Sequence, residues 1–456
     1  MRKWFGRPSE GPLTTTWFWP VACVLGTIIV TLLLMDYRPA PDSVWARRLW
    51  PGNRDGASAM LQVVATSIMT AATITSSLTV VALQLASQQY SPRLLREFAR
   101  DKVMQGVLGL LVSTFAAALM GLRAITDERP LPVALVFLVL LMGFASACAL
   151  LFFVGHVVKS LRIESMMAAT HREAVPVIER AYSAHRADGG PQDPGSAPPA
   201  GGRLVRAQRG GFVRDVDVEQ LLQVAEGRGL AVQLYCQPGD DVVRGTPIAR
   251  VWSGRSADPD QAEPDQTKLD QTKLDEAVSA VLDIGFERTS DRDAALGLRR
   301  LTDIAVKAIS PAINDPVTAS NSLSHCTDLL LRLQGKHLGP RVISRPAGDA
   351  TVFLPGRDLR YFLDLVAGPV RRYGRGEPLV LMALLQLLRD CAQAARDDGQ
   401  RQDIALQVDL VVDEVADHLL DYDKKNVFAL AENARQALAG DVAAAYVDRA
   451  GEARST

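Results

Sequence analysis

The sequence predicts a membrane α-helical domain of four transmembrane helices, followed by a cytoplasmic α+β part made of a small β barrel-like module and a helical domain. Two observations predict this organisation. Four apolar runs approach or exceed the roughly 20 residues that a membrane-spanning helix needs, and the rest of the chain is charged and interrupted by Pro and Gly. The four runs are residues 17–35, 59–88, 103–122 and 131–158.

Length and composition exclude several classes of protein. A chain of 456 residues is long enough for about two to four folding units. The formal net charge is −1 and no long basic block is present, so we expect no nucleic acid as a partner. The five cysteines are scattered without a CxxC pair, which favours a reducing compartment and argues against disulfides and a zinc site.

The charges that flank the four runs predict their orientation. Ten Lys and Arg residues lie on the side of the N-terminus, against six on the opposite side. Because positive charge is retained in the cytoplasm, both termini and the whole second part are predicted to be cytoplasmic. The first run is interpreted as a retained helix, since no small-residue cleavage motif follows it.

The second run carries an uncharged polar face, here called the polar stripe. Packing against other helices is the commoner origin of such a face, because Ser and Thr allow close approach. Lining a water-filled path is the alternative. None of the four spans has Asp, Glu, Lys or Arg in its core, so the commonest signature of ion-coupled transport is absent. At 3.6 residues per turn the stripe consists of Thr66, Thr70, Thr73, Ser77, Gln84 and Gln88.

The third run contains small residues at successive i+4 positions, here called the small-residue seam. Such a seam predicts tight contacts between helices, within one chain or between subunits, and favours a homo-oligomer as one arrangement. The fourth run repeats the pattern more weakly, with Gly143, Ala147 and Gly155. The seam consists of Gly109, Ser113, Ala117 and Gly121.

A basic amphipathic segment, SPRLLREFARDK, connects the second and third runs. Ser91 and Pro92 suit the N-cap and the first position of a helix. We expect the helix to lie at the lipid interface with its cations on anionic headgroups. The cations are Arg93, Arg96, Arg100 and Lys102.

Composition divides the second part of the chain into five segments. Residues 203–253 alternate apolar and polar side chains, as half-buried strands do, and PGDDVVRGTPIARV resembles a half-repeat of biotinyl/lipoyl-type barrel-sandwich domains. No lysine is present there to carry a prosthetic group, so a structural or ligand-sensing module is predicted. The segments are a connecting amphipathic helix (161–187), a Pro/Gly linker (188–202), the β module (203–253), a linker (254–267) and a helical domain (268–450).

The loop SPAINDP, residues 310–316, groups the side chains of Ser310, Asn314 and Asp315. Asp315 as N-cap with Pro316 at the first helical position predicts a helix start, and ligand contact is the alternative role of the loop. His171 and Glu173 are expected on a solvated face, and His325 and Cys326 lack the spacing of metal ligands. With no Walker A, Rossmann, HExxH or GxSxG pattern, we predict no enzyme, no cofactor and no metal.

Two stretches resemble a bacterial family. SSLTVVALQLASQQYSPRLLREFARDKVMQGVLG and GFERTSDRDAALGLRRLTDIAVKAISPAINDPVTA are similar to bacterial predicted membrane proteins defined only as domain of unknown function 2254. The resemblance covers nearly the whole chain and implies a multi-pass protein of the bacterial inner membrane. It implies no activity, substrate or catalytic residue.

Two functions follow as hypotheses. The first is a passive channel-like or transport-associated protein in which the second helix lines the path and the cytoplasmic domains gate or sense an unidentified small ligand or ion. The second is a non-conducting sensor or scaffold, whose membrane part anchors and oligomerises the cytoplasmic domains in the lipid bilayer.

Overall fold

The chain folds into two compact units, Met1–Met166 and Met167–Thr456. Each unit has its own buried core of apolar side chains. The computed structural model of the chain describes residues 12–37, 48–89, 101–125, 130–160, 162–182, 198, 201–226, 229–253, 264–289, 292–344 and 350–446.

The first unit is a bundle of long apolar helices. Helix α3 is central, because it packs against the three other long helices of this unit. Their apolar side chains meet in clusters around Leu61, Leu111, Leu135 and Phe153, each of which is fully buried. The helices are α1 (Pro12–Asp36), α2 (Arg54–Gln89), α3 (Lys102–Ala124) and α4 (Val133–Ser160).

The prediction of four transmembrane helices is not confirmed. Among the described residues three helical segments are long and apolar enough to cross a membrane, namely Arg54–Gln84, Lys102–Ala124 and Val133–Lys159. In α1 the corresponding segment, Pro20–Met35, is shorter than these three. The chain therefore has three apolar candidate spans plus a short one, followed by a mixed part of helices and sheets.

The second unit begins within helix α5 (Ile163–Ala181), which contains Pro176.

The strands of the second unit form two sheets around one apolar core. The five-stranded sheet has the order β1-β5-β3-β8-β7 and the three-stranded sheet the order β4-β2-β6. The strands and the helices between them are β1 (Arg203–Arg206), β2 (Gly211–Val216), α6 (Val218–Glu226), β3 (Leu230–Leu234), β4 (Asp241–Val242), β5 (Pro247–Ser253), α7 (Pro264–Ala280), β6 (Leu282–Gly285), β7 (Arg341–Ser344) and β8 (Thr351–Leu354).

The prediction that the chain is helical from residue 268 onwards is wrong in one respect. Strands β6, β7 and β8 lie in that region and complete the two sheets. Val232 of β3 pairs with Val251 of β5 in antiparallel register and with Val352 of β8 in parallel register. The β module is therefore built from strands on both sides of α7, not from residues 203–253 alone.

The remaining helices pack as a layered bundle. α11 is the most enclosed of them, with Leu381, Leu384 and Leu388 fully buried between α9, α12 and α13. Capping side chains begin several of these helices, among them Asp293 before α8 and Asp358 before α10. The helices are α8 (Ala294–Ala308), α9 (Pro316–Gln334), α10 (Leu359–Tyr373), α11 (Pro378–Gln393), α12 (Asp398–His418), α13 (Asp421–Leu438) and α14 (Val442–Ala445).

Candidate functional site

The polar stripe lies on the side of α2 that faces away from the rest of the first unit. Successive helical residues are about 100° apart, so two residues separated by two positions lie on opposite sides. Ile68, Thr75 and Ala82 are buried, and each is two positions from an exposed stripe residue. The exposed stripe residues are Thr66, Thr70, Thr73, Ser77 and Gln84, while the side chain of Gln88 lies outside the described residues.

The threonine hydroxyls of the stripe are hydrogen-bonded to their own helix. Thr70 donates to the carbonyl oxygen of Thr66 at 2.9 Å, and Thr73 donates to that of Met69 at 3.0 Å. Thr66 donates to Gln62 in the same way. Because a threonine can satisfy its donor locally, it is compatible with lipid, with water or with a neighbouring helix.

Two amide side chains bracket these hydroxyls. Gln62 and Gln84 are both exposed and are 22 residues apart, which corresponds to about 33 Å along a helix. A hydrocarbon core is about 30 Å thick. The two amides are therefore spaced to reach opposite interfaces, with the hydroxyls of Thr66, Thr70, Thr73 and Ser77 in between.

The small-residue seam of α3 contacts two different helices. A Cβ atom on Gly109 would lie 3.1 Å from the Cα atom of Pro20 in α1, and one on Gly121 would lie 3.1 Å from a methyl group of Leu61 in α2. Ser113 and Ala117, between them, are buried. All four positions therefore lie at contacts within one chain. On α4, Gly143 lies against Val64, whereas Gly155 has open space around it.

A hydrogen bond between side chains joins the beginning of α3 to α4. The Asp101 carboxylate accepts a hydrogen bond from the backbone N–H of Val103 at 2.8 Å and is bonded to Nε2 of His156. Sequence reasoning missed this pair, because 55 positions separate its members and no motif connects them. The signal that could have been used is the capping pattern, an Asp directly before the first residue of α3.

Three of the four predicted interfacial cations lie outside the described residues. Arg93, Arg96 and Arg100 lie outside the described residues, together with the predicted cap at Ser91. Lys102 is the first residue of α3 and is exposed.

The SPAINDP loop is held by local hydrogen bonds. The Asp315 carboxylate accepts from the backbone N–H of Thr318 at 3.0 Å and from its hydroxyl at 2.6 Å, so the predicted cap of α9 is present. These bonds, first the one from the Thr318 side chain, lower the pKa of Asp315. Ser310 donates to the Lys307 carbonyl oxygen at 2.7 Å. Pro316 opens the helix, and Asn314 adopts a left-handed conformation with φ of 50°.

The prediction of a solvated face for His171 and Glu173 is confirmed for Glu173, which is exposed, and is wrong for His171, which is partly buried against α9. His171 Nε2 is 2.7 Å from the Asp328 carboxylate of α9, and Glu173 accepts from Arg300 of α8 at 3.2 Å. The rings of His171 and His325 are 5.3 Å apart. Burial, and then the charge of His171, lower the pKa of His325.

A buried cluster of charges connects the β-sheets to the helices in the second unit. Arg357 donates to Asp293 at 3.0 Å and to Asp240 at 2.8 Å, and Arg288 pairs with the other oxygen of Asp293. The guanidinium of Arg357 also stacks on the ring of Tyr361, 4.9 Å from its centre. The side chain of Asp293 is 1% exposed, so it is held by these partners and not by water.

The buried cysteines of the second unit have raised thiol pKa values. Cys236 and Cys326 are buried, and burial raises the pKa of each thiol to about 12. Within the residues that the structure describes, no three His, Cys, Asp or Glu side chains are grouped as metal ligands would be.

Comparison with known proteins identifies related chains. A family model described as "Predicted membrane protein (DUF2254)" matches residues 14–390. An uncharacterised protein of Mycobacterium tuberculosis and one of Mycobacterium bovis are each 32% identical over 369 residues, which is 80% of this chain and 69% of the relative. No solved structure matches the chain.

Proposed function

The chain belongs to the DUF2254 family of predicted membrane proteins, and on that premise we propose that it is an oligomeric, passive channel-like protein. In this proposal α1 to α4 all cross the bacterial inner membrane, both termini are cytoplasmic, and α2 lines the path. The second unit acts as the sensing and gating part. The chain is not an enzyme in this proposal, because its sequence has no nucleotide, zinc or nucleophile motif.

The exposure of the polar stripe carries the proposal. The stripe is uncovered within the first unit, although the opposite side of α2 packs against α3 and α4. A neutral hydroxyl face can replace part of the hydration of a permeant species without a fixed charge.

The geometry of one helix supports an oligomer in this proposal. A single α2 supplies one wall of a path, so several copies must surround an axis to enclose it. Closed rotational symmetry repeats the same face around that axis, which would place each polar stripe toward the centre. We therefore propose a homo-oligomer in which stripes face one another.

A non-conducting scaffold is the second candidate, and one observation favours it. The hydroxyls of Thr66, Thr70 and Thr73 donate to backbone carbonyl oxygens of α2. Such a face needs no water, so it could equally pack against α2 of a second copy in a dry interface. In that case the membrane unit would anchor and assemble the second unit without conducting.

Cysteine accessibility in planar lipid bilayers separates the two candidates. The purified chain, with the exposed Cys23 and Cys148 replaced by Ala, would carry either Thr73→Cys or Ile74→Cys. We expect a water-soluble cationic thiol reagent to block more than half of the current through Thr73→Cys. Ile74 is the matched control, since it is exposed but apolar and one position off the stripe.

Three results would contradict conduction through the stripe. One is a bilayer that stays silent under varied tension, voltage and salt. Another is unchanged conductance in Thr73→Leu and Ser77→Leu. The third is equal modification of Thr73→Cys and Ile74→Cys, because both would then face the same environment.

A further inference from the structure

The second unit contains a cleft to which the family description assigns no role. It contains a partly open cavity of about 130 Å³ between the end of α5, the sheets and the loops that flank β7 and β8. An enclosed cavity of about 150 Å³ accepts benzene, so this slightly smaller but open cavity can take one aromatic ring. The polar side chains that line it are Tyr182, Asp215, Gln237, Arg292, Arg341 and Arg357.

The charges of the cleft leave one guanidinium uncompensated. Arg357 is neutralised by Asp240 and Asp293, and Arg292 lies 3.6 Å from Asp215. Arg341 lies at the start of β7, is exposed, and has no carboxylate partner among the described residues. An arginine presents a planar fork of donors that matches a carboxylate or a phosphate, so the free group in the cleft is suited to an anion.

A neutral donor lies beside this cation. Burial raises the pKa of the Tyr182 hydroxyl, against the opposing charges of Arg357 and Arg341. The hydroxyl is therefore protonated at neutral pH and can donate a hydrogen bond to an anion in the cleft. Tyr182, Arg341 and Arg357 all line the same cavity.

The other lining groups are apolar. Val216, Val218, Leu234 and Leu354 contribute side chains from both sheets and from α6. Val216 and Val218 are partly exposed, so an inorganic ion alone would leave them against water, whereas a ligand with an apolar body would cover them.

We propose that this cleft binds a small organic anion, with its carboxylate or phosphate on Arg341 and Tyr182 and its apolar body against Val216, Val218, Leu234 and Leu354. Tyr182 directly follows α5, so an occupied cleft holds the end of that helix. Binding is independent of conduction, since it is a property of the second unit and is measured without current.

Isothermal titration calorimetry on the full chain in detergent micelles tests the site. The probes share one aromatic body and differ in their charge: benzoate, phenyl phosphate, benzyl alcohol and benzylamine. We expect the two anions to bind at least 10-fold more tightly than the alcohol, and benzylamine not to bind, because a charge-assisted hydrogen bond is absent or reversed in the controls. The ratio of benzoate to phenyl phosphate affinity identifies the preferred anionic group.

Arg341→Gln is the decisive variant, because Arg341 is exposed and its loss leaves the fold intact. We expect it to weaken anion binding about 10-fold, while Arg375→Gln, an exposed arginine outside the cleft, leaves binding unchanged. The proposal is overturned if neither anion binds at a probe concentration of about 10 mM, which would detect dissociation constants in the millimolar range. It is also overturned if benzylamine binds as well as benzoate, or if Arg341→Gln and Arg375→Gln behave alike.

Discussion

The two units satisfy their polar groups in opposite ways. In the first unit the threonine hydroxyls of α2 donate to carbonyl oxygens four residues back in the same helix. In the second unit Arg357 reaches carboxylates 64 and 117 positions away in the sequence. The first arrangement is neutral and local, and the second is charged and joins distant segments.

The surroundings of each unit explain this difference. A charge in the middle of a hydrocarbon core is costly, so spans favour neutral groups that their own helix can satisfy. In the first unit the Asp101 side chain accordingly lies where α3 begins, not in the middle of a span. In an aqueous fold a buried charge is tolerated when several partners surround it. The first unit can therefore leave neutral polar side chains exposed to an unknown neighbour, whereas the second unit has to pair the charges that it buries.

The buried charge cluster is expected to give the largest effect. Asp293→Ala removes the carboxylate that Arg357 and Arg288 share, and it removes the cap of α8. Breaking a buried pair costs about 3–5 kcal/mol, since the remaining charge stays buried without its partner. We expect the free energy of unfolding of the second unit, measured by urea titration of the full chain in detergent, to fall by about that amount.

An exposed ion pair supplies the control for this prediction. Arg401 pairs with Asp398 at 3.1 Å, and the Asp398 side chain is 94% exposed. Arg401→Gln should change stability by about 0–1 kcal/mol. If Asp293→Ala and Arg401→Gln have similar effects, the second unit does not depend on its long-range charges and the comparison fails.

The helices were accessible to sequence reasoning because their signals are local. Asp315 and Pro316 mark the start of α9 within two residues, and the long apolar runs mark α2, α3 and α4. Strands β7 and β8 have four residues each and carry too little pattern to be recognised. The place of β8 is decided by pairing with β3, more than a hundred positions earlier, and that of β7 by pairing with β8. Periodicity cannot indicate the pairing with β3.

The same limit applies to the candidate sites. A period of 3.6 residues predicts that Thr66, Thr70 and Thr73 share one face, but it cannot tell whether that face is covered. The cleft around Arg341 was not predicted at all, since its walls come from loops that are far apart in the sequence. An arginine without a carboxylate partner can be recognised only when the ion pairs of the surrounding residues are known from the structure.

Two glycine substitutions in α3 are expected to change the stability of the first unit by an intermediate amount and in opposite directions. Gly109→Leu would place a side chain 3.1 Å or less from the backbone of Pro20, and overpacking of this kind costs about 1–3 kcal/mol. Gly106 is on the same helix and has nothing within 4 Å of its added Cβ. Gly106→Leu should therefore stabilise α3 by up to about 1 kcal/mol through helix propensity.

Thermal unfolding in detergent micelles measures both glycine variants. The midpoint should fall for Gly109→Leu and stay level or rise for Gly106→Leu. Two midpoints that shift together would mean that α1 does not pack on the small-residue seam, and that the first unit is held by other contacts.

The smallest effect is expected at the cap formed by Asp315 on Thr318. This hydrogen bond is local, like those of the threonines in α2, but its acceptor is charged, like the carboxylates that pair with Arg357. The folded pKa of Asp315 is lowered, so its cap contributes stability that is present above the unfolded pKa of about 3.9 and is lost as the pH falls through the folded pKa. Asp315→Ala should cost about 1 kcal/mol at pH 7, and this difference should shrink below pH 4, measured by urea midpoints from about pH 7 to 3.

Asp315→Asn keeps an acceptor for the Thr318 N–H but cannot titrate, so its cost relative to wild type should be small at pH 7 and disappear in acid. A cost of Asp315→Ala that does not change with pH would mean that the negative charge of the carboxylate does not contribute to the cap of α9. The cap would then act as a neutral hydrogen-bond acceptor, and the comparison between the neutral bonds of α2 and the charged bonds of the second unit would not extend to α9.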